Sequence, residues 1–277
     1  MRDLARRPSN SVIRKRRKHV ALPAQAQQHL VFGVRVRLKQ HLGTRGAPPE
    51  AVALAESVLD ADVLTLGFAR RFTAYNRPNL LLRDPDRLVR LQCDPQRPVQ
   101  IVLAGKAHPA DGEGKGSIKQ WVALARTPNL RNRIVFLEDY DISLAQELVQ
   151  GLDVWINTPR PPWEACGTSG MKVLVNGGLN LSVLDGWWAE AFAPGVGWPV
   201  KGNGQTTDAE QDTADAEALY AMLEREIVPE FYARDADGLP RACLARIRRG
   251  MADLTPQCKY ADGSQLLGAS LSACRRR

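Results

Sequence analysis

One lysine, Lys172, follows a run of small residues in the segment WEACGTSGMKVLVNGG, residues 163 to 178. Glu164 precedes this lysine by eight positions, and Gly167 and Gly170 enclose a threonine and a serine. A glycine turn that leads into a helix presents backbone N–H groups to an anion. A lysine beside such a turn either forms a Schiff base with a cofactor aldehyde or only binds anions at the surface. The spacing alone leaves both interpretations open.

Basic and aromatic side chains follow three other apolar runs. Arg70, Arg71 and Arg77 come after LTLGFA, Lys106 and His108 after IVLAG, and Tyr140 after IVFLE. Guanidinium groups suit a phosphate, because they hold it through two parallel hydrogen bonds. Each signal is weak by itself, since an arginine pair or a glycine turn is common at any protein surface. Only their convergence at one place would indicate a binding site.

The apolar runs alternate with helical segments from residue 62 onwards. Strands are predicted at 62–69, 98–107, 133–139, 153–158 and 179–185. Fully apolar strands separated by helices are typical of a parallel sheet that is covered on both faces. Ligands of such sheets bind beyond the carboxyl ends of the strands, where the residues named above fall. We therefore predict an α/β fold with a Rossmann-like parallel sheet and helices on both faces.

Composition divides the chain into four segments. We expect a basic irregular arm at 1–23, a helical segment at 24–60, the sheet domain at 61–257 and an irregular tail at 258–277. Residues 1–46 contain twelve Lys or Arg and one acidic residue. An arm of this kind can bind nucleic acid or an anionic surface. Because no aromatic residues are interleaved with its charges, we expect a solvated tail and basic helix, with no nucleic-acid partner.

The bulk composition is that of an ordinary globular protein, with 44% hydrophobic and 25% charged residues in 277. No apolar run approaches the ~20 residues that cross a bilayer, and the N-terminus lacks an apolar signal core. We therefore expect a cytoplasmic protein without a membrane partner. The five cysteines form no C-x-x-C pair, so we expect neither a zinc site nor a disulfide framework, and no metal.

Four segments resemble the α-glucan (glycogen/maltodextrin) phosphorylases, and they resemble the short bacterial branch of that family most. In chain order they are LTLGFARRFTAYNR, AGKAHP, FLEDYDISLAQEL and EACGTSGMKVLVNGGLNLSVLDG. The resemblance implies two Rossmann-like domains in the GT-B glycosyltransferase arrangement, of which this chain would be the C-terminal, cofactor-binding half. It also implies that α-1,4-glucan and inorganic phosphate react to give glucose 1-phosphate, with pyridoxal 5'-phosphate as cofactor.

The resemblance implies a role for each candidate residue. Lys172 would carry the cofactor, and Gly167, Thr168 and Ser169 would hold the cofactor phosphate. Tyr140 would pack near the cofactor ring, and Arg70 would add positive charge. The glucosyl pocket would be lined by Glu164, Ala165, Cys166 and Gly167, with Arg71 binding the substrate phosphate and Lys106 close by. Lys172, Arg71 and Glu164 would be the catalytic residues.

The chain departs from the family pattern in ways that leave its activity open. Asn76 stands where the family normally has a lysine that helps hold the phosphates. The preceding domain, which supplies the rest of the sugar site, is missing, so we expect a fragment that needs an N-terminal domain or another copy. Two alternatives remain, an inactive truncated remnant and a GT-B glycosyltransferase that uses a nucleotide sugar. In many such transferases a second glutamate stands where Lys172 is, and a lysine cannot accept hydrogen bonds from a ribose diol.

Overall fold

The computed structural model describes residues 10–202 and 207–257, and its centre is a sheet of six parallel strands. The strands are β1 (Leu64–Ala69), β2 (Val99–Ala104), β3 (Ile134–Leu137), β4 (Val154–Asn157), β5 (Leu179–Val183) and β6 (Trp198–Val200). Their order across the sheet is β3-β2-β1-β4-β5-β6. From β1 the chain first adds β2 and β3 on one side of the sheet and then adds β4 on the other side of β1, so the direction of strand addition reverses there. The pairing of Leu64 with Val99 joins β1 to β2, and the pairing of Leu66 with Val154 joins β1 to β4. A parallel sheet binds ligands at such a reversal, beyond the carboxyl ends of its strands.

Helices cover both faces of this sheet. They are α1 (Asn10–Thr44), α2 (Pro49–Leu54), α3 (Pro85–Cys93), α4 (Gly112–Ala125), α5 (Ile142–Gly151), α6 (Thr168–Val175), α7 (Gly186–Ala191), α8 (Asp208–Met222), α9 (Val228–Tyr232) and α10 (Arg241–Leu254). Alternate residues of each strand enter different cores: Val154 and Ile156 join one hydrophobic cluster, whereas Trp155 joins another. Because successive strand side chains point to opposite faces, the sheet is buried on both sides.

Aspartates begin two of the helices that follow strands. Asp111 accepts a hydrogen bond from the Gly114 amide at the start of α4, and Asp141 accepts one from the Leu144 amide at the start of α5. Such side-chain caps satisfy amides that have no partner within the helix. Helix α6 begins differently, since Gly167 precedes it and no side chain caps it.

The predicted α/β architecture and its five strands are confirmed, whereas β6 and α7 were not predicted. Of the helical segments expected between the strands, the one between the first two strands, 72–92, is helical only in its second half; its first half forms the 3-10 turns Ala74–Asn76 and Leu80–Arg83. Pro78 and Pro85 explain this difference, because proline disrupts a helix that precedes it.

The predicted segment boundaries are only partly visible in the structure. Helix α1 begins at Asn10, so the part of the predicted irregular arm from residue 10 onwards is helical. The predicted boundary at residue 24 therefore lies inside one continuous helix. Residues 1–9 and the tail 258–277 lie outside the described residues. The division into domains stays a prediction. Among the described residues, no helix has the length and apolar character needed to cross a membrane.

Candidate functional site

The sequence-predicted residues converge on the carboxyl edge of the sheet, around its point of reversal. Arg70 and Arg71 follow the last residue of β1, and Lys106 follows β2 at the adjacent strand end. The loop 158–167 connects β4 to α6 and contains Glu164. The loops are joined by backbone bonds, in which Phe72 donates to the Lys106 carbonyl at 3.0 Å and Arg160 donates to the Tyr75 carbonyl at 2.7 Å.

An ion pair between Arg70 and Glu164 forms the centre of this edge. One guanidinium nitrogen, Nη2, lies 2.7 Å from each of the two Glu164 carboxylate oxygens. The pair is shielded from solvent, since the side chain of Arg70 is 14% exposed and that of Glu164 is 4% exposed. The other nitrogen, Nη1, donates to the Asn157 side-chain oxygen at the end of β4. The charge of Arg70 is therefore already paired within the protein.

The backbone around Glu164 is fixed by the segment after β5. The Glu164 amide donates to Asp185 Oδ2 at 2.9 Å, and the Trp187 amide donates to the Cys166 carbonyl at 2.9 Å. The sequence interpretation missed Asp185 and Asn157 as parts of the site. An aspartate directly before a glycine and a helical stretch was the available signal for Asp185, since that pattern is typical of a helix cap.

Gly167 permits the close approach of the turn to Glu164. Its φ is +87°, a left-handed conformation that side chains other than glycine rarely adopt. A Cβ atom at this position would lie 2.5 Å from Glu164 Oε1. The half-buried Thr168 and Ser169 follow at the start of α6, and neither backbone amide has an acceptor among the described residues. These free amides and the helix dipole together favour an anion at this point.

Lys172 lies one helical turn beyond that start, on the same face as Thr168. It is half-buried, and its ammonium group forms no ion pair or hydrogen bond within the described part of the chain. Helical side chains in general lean toward the N-terminus of their helix, which for Lys172 is the turn that carries the free amides. An unpaired, partly desolvated amine beside an anion site suits either electrostatic binding or covalent attachment of an aldehyde.

Arg71 and Asn76 occupy the loop after β1. Arg71 is exposed, and its guanidinium has no partner among the described residues, so this group is free to bind a ligand. Asn76 is buried, and its side-chain amide donates to the Arg71 carbonyl at 2.8 Å and to the Thr73 hydroxyl at 3.1 Å. The asparagine therefore shapes the turn that presents Arg71, and its short side chain brings no positive charge to the edge.

Arg77, which the sequence grouped with the other cations, belongs to the core instead. It is 6% exposed, and its Nη1 lies 2.7 Å from Asp215 and 3.1 Å from Asp212, both on α8. Its remaining nitrogens donate to the carbonyls of Thr158 and Pro159. The interpretation of Arg77 as a ligand cation is thus wrong, because an arginine with all its donors engaged in the interior cannot reach a ligand at the edge.

The remaining candidates are Tyr140, Lys106, Ala165 and Cys166. Tyr140 is half-buried; burial raises the pKa of its hydroxyl, and the charge of nearby Arg70 opposes that rise. Lys106 is exposed, 3.8 Å from Asp139. Ala165 is exposed, and Cys166 is half-buried. No group of three or more potential metal ligands occurs among the described residues. The edge therefore combines cations, free amides and one fixed carboxylate, an arrangement suited to phosphate and to hydroxyl groups.

Comparison with known proteins finds one family and several relatives. The family model for carbohydrate phosphorylases matches residues 64–192. Glycogen phosphorylase of Mycobacterium tuberculosis is 46% identical over 235 residues, which are 84% of this chain and 27% of the relative. Glycogen phosphorylase of Aquifex aeolicus is 44% identical over 230 residues, or 83% of this chain and 33% of the relative. Maltodextrin phosphorylase of Thermococcus litoralis is 44% identical over 179 residues, or 64% and 22%.

The alignments therefore span only 22% to 33% of the length of these relatives. Among solved structures, Anabaena Alr3699/HepE in complex with UDP and glucose overlaps 71% of this chain and 47% of its own chain. That overlap has a TM-score of 0.46 and 19% sequence identity.

Proposed function

Because the chain belongs to the carbohydrate phosphorylase family, we propose that its sheet domain holds pyridoxal 5'-phosphate on Lys172 and serves glucan phosphorolysis. In that reaction α-1,4-glucan and inorganic phosphate give glucose 1-phosphate. The chain would form the C-terminal half of a two-domain GT-B enzyme. The observation that carries this proposal is the half-buried, unpaired amine of Lys172 one turn after an uncapped helix start.

The residues present fit the cofactor. An aldehyde needs an amine that no carboxylate already holds, and Lys172 meets this condition within the described structure. A phosphate needs several N–H donors, which Gly167, Thr168 and Ser169 place at the start of α6. The glycine at 167 also lets this turn pass beside Glu164, an approach that a Cβ atom would block. Tyr140, half-buried near Arg70, would pack beside the ring.

The protein's own groups would then hold the two substrates. Arg71, exposed and unpaired among the described residues, would bind inorganic phosphate, and Lys106 would add charge nearby. Glu164 would accept a hydrogen bond from a sugar hydroxyl, with Ala165, Cys166 and Gly167 lining the same pocket. The cofactor, when bound, would supply a phosphate group for acid–base catalysis.

Two phosphates held close together repel each other, which explains the need for cations at this edge. At a separation of about 4 Å and an effective dielectric constant of about 20, each pair of unit charges contributes on the order of 4 kcal/mol. The guanidinium of Arg71 and the dipole of α6 would offset that repulsion. The same fixed charges would hold the substrate phosphate in place. This phosphate anion would in turn stabilise the positive charge that develops on the sugar in the transition state.

Covalent trapping of the cofactor tests the proposal. We expect that the chain, incubated with one equivalent of pyridoxal 5'-phosphate and reduced with borohydride, carries a pyridoxyl adduct on Lys172 in its peptide map. The K172A variant should lose that adduct, whereas K119A, which removes an exposed lysine of α4, should keep it. Equal labelling of wild type and K172A, or labelling scattered over surface lysines, would contradict the proposal.

A further inference from the structure

Arg70 and Glu164 have a relation that the family resemblance does not assign. We propose that Arg70 is a positioning residue that holds the Glu164 carboxylate for sugar recognition, and that it is not one of the cations that bind phosphate. This inference rests on the proposed function of the same site. Its first support is geometric, since one guanidinium nitrogen is 2.7 Å from both carboxylate oxygens and the pair is largely buried.

The guanidinium of Arg70 is also held by a series of side-chain hydrogen bonds that crosses from β4 to β5. Its Nη1 donates to the Asn157 side-chain oxygen at the end of β4. The Asn157 side-chain nitrogen in turn donates to the Ser182 hydroxyl of β5 at 3.1 Å, and both residues are buried. A guanidinium that is fixed on two sides cannot turn toward a ligand without leaving buried polar atoms unpaired, which costs about 1–3 kcal/mol for each neutral group.

Glu164 is equally confined by its surroundings. Its backbone amide is tied to Asp185, and Gly167 and Gly186 approach its side chain closely. A Cβ atom at position 186 would lie 2.9 Å from Glu164 Cγ. The carboxylate therefore has one accessible arrangement in this structure, and Arg70 sets its orientation.

The pairing decides which ligand chemistry each residue can serve. A carboxylate offers about four lone-pair sites, and the two bonds from Arg70 leave acceptor capacity for the hydroxyls of a neutral sugar. The neutralised Arg70 attracts a phosphate far less than a free guanidinium does. Phosphate binding at this edge then falls to Arg71 and to the amides of α6.

Two single variants of neighbouring arginines separate these roles. The probes are glucose, which carries no phosphate, and inorganic phosphate, each titrated by calorimetry into the cofactor-loaded full chain. We expect R70Q to weaken glucose binding by about tenfold or more and to change phosphate affinity by less than about twofold. The R71Q variant should show the reverse pattern. R126Q removes an exposed arginine at the far end of α4 and should change neither affinity.

A conservative variant guards against a merely structural effect. R70K keeps the charge but lacks the planar fork, so it should recover only part of the lost glucose affinity while phosphate affinity stays at the wild-type value. If R70Q does not fold, the same comparison is made with R70K alone, for which a several-fold loss toward glucose only is expected. The E164Q variant should weaken glucose binding as R70Q does, and combining the two should add little further loss.

Two results would overturn the inference. One is a loss of phosphate affinity in R70Q or R70K with glucose affinity preserved; the other is a failure of the loaded wild-type chain to bind glucose. Either result leaves the proposed function standing if Lys172 carries the pyridoxyl adduct. Conversely, the proposed function fails if the wild-type chain forms no adduct at Lys172, whatever its affinities for the two probes.

Discussion

Gly167 shows how a single residue sets the geometry of the candidate site. Its left-handed φ of +87° turns the chain into α6, and the missing side chain lets the turn approach Glu164. We expect the G167A variant to lose about 1–3 kcal/mol in the free energy of unfolding, because a Cβ atom would be both strained and 2.5 Å from Glu164 Oε1. Urea denaturation followed by circular dichroism measures this loss.

Gly112 provides the matched control for that substitution. It lies at the start of α4, where a Cβ atom would meet nothing within 4 Å. The G112A variant should be as stable as the wild type or gain about 0.4–1 kcal/mol, since alanine restricts the unfolded chain. If G167A proved as stable as G112A, the turn would tolerate a side chain, and Gly167 would not be needed for the approach to Glu164.

The sequence indicates which residues follow the strand ends, but it does not indicate which side chains pair with one another. Glu164 and Lys172 are candidates from sequence because glycines and small residues mark the turn between them. The pairing of Arg70 with Glu164 was not predicted, because the two residues are 94 positions apart. Contacts across such a separation depend on the order of the strands in the sheet. Arg77 was misplaced for the same reason, because its partners Asp212 and Asp215 lie far along the chain on α8.

The strands were predictable because each is buried on both faces. Strands β1 and β2 are apolar or buried at all six positions, which gives a signal that needs no knowledge of neighbours. Strand β6 has only three residues, with Pro199 in the middle, and proline normally argues against a strand interior. Proline is tolerated here because β6 lies at the edge of the sheet and pairs through its backbone with β5 alone. Six-residue α7 was likewise too short to show a helical period.

The amino edge of the sheet, opposite the candidate site, carries a half-buried acid. Asp153 directly precedes β4 and accepts hydrogen bonds from the Thr65 amide at 2.8 Å and from the Gln27 side chain of α1. Burial raises the pKa of Asp153 to about 7, although these hydrogen bonds and the charge of Arg234 act in the opposite direction. Tyr232 and Cys243 also face this group. Because Gln27 belongs to α1, we expect the titration of this acid to make the stability of the fold depend on pH.

The sign of that coupling follows from the two protonation states. Between pH 4 and 7 the folded protein keeps a proton on Asp153 that the unfolded chain has released, so its contribution to stability is complete below pH 4 and is lost as pH rises through 7. We expect the wild type to lose on the order of 1–3 kcal/mol relative to D153N between pH 5 and 8. Thermal unfolding of both proteins across this range measures the difference.

Asp94 offers a control of opposite sign. The amides of Gln96 and Arg97 each donate to it at 2.8 Å, and these backbone hydrogen bonds lower the pKa of its carboxyl. Relative to D94N, the wild type should therefore gain stability as pH rises from about 2 to 5. For Asp153, the outcome that would contradict the prediction is a free energy of unfolding that changes equally with pH in the wild type and in D153N from pH 5 to 8. That result would show that Asp153 stays charged in the folded protein.

On the scale of the whole molecule, the candidate site lies open on one side. Trp163 is 68% exposed beside Glu164, the Lys106 side chain is 61% exposed, and Arg71 is exposed as well. Fixed charges stabilise a transition state strongly only where water is excluded, because the high dielectric constant of water weakens each interaction several-fold. The proposed binding groups therefore lie, among the described residues, without the enclosure that fast turnover requires.

We accordingly expect the 277-residue chain to bind pyridoxal 5'-phosphate at Lys172 yet to release glucose 1-phosphate from maltodextrin far more slowly than the 1–10³ s⁻¹ that is roughly typical of enzymes. The chain matches only 27% of the Mycobacterium tuberculosis relative, so the opposing wall of a cleft would have to come from other residues. A coupled assay with saturating phosphate and maltodextrin measures the rate, with K172A as the background. Turnover by this chain within the typical range would show that the exposed edge suffices, and would overturn the argument from enclosure.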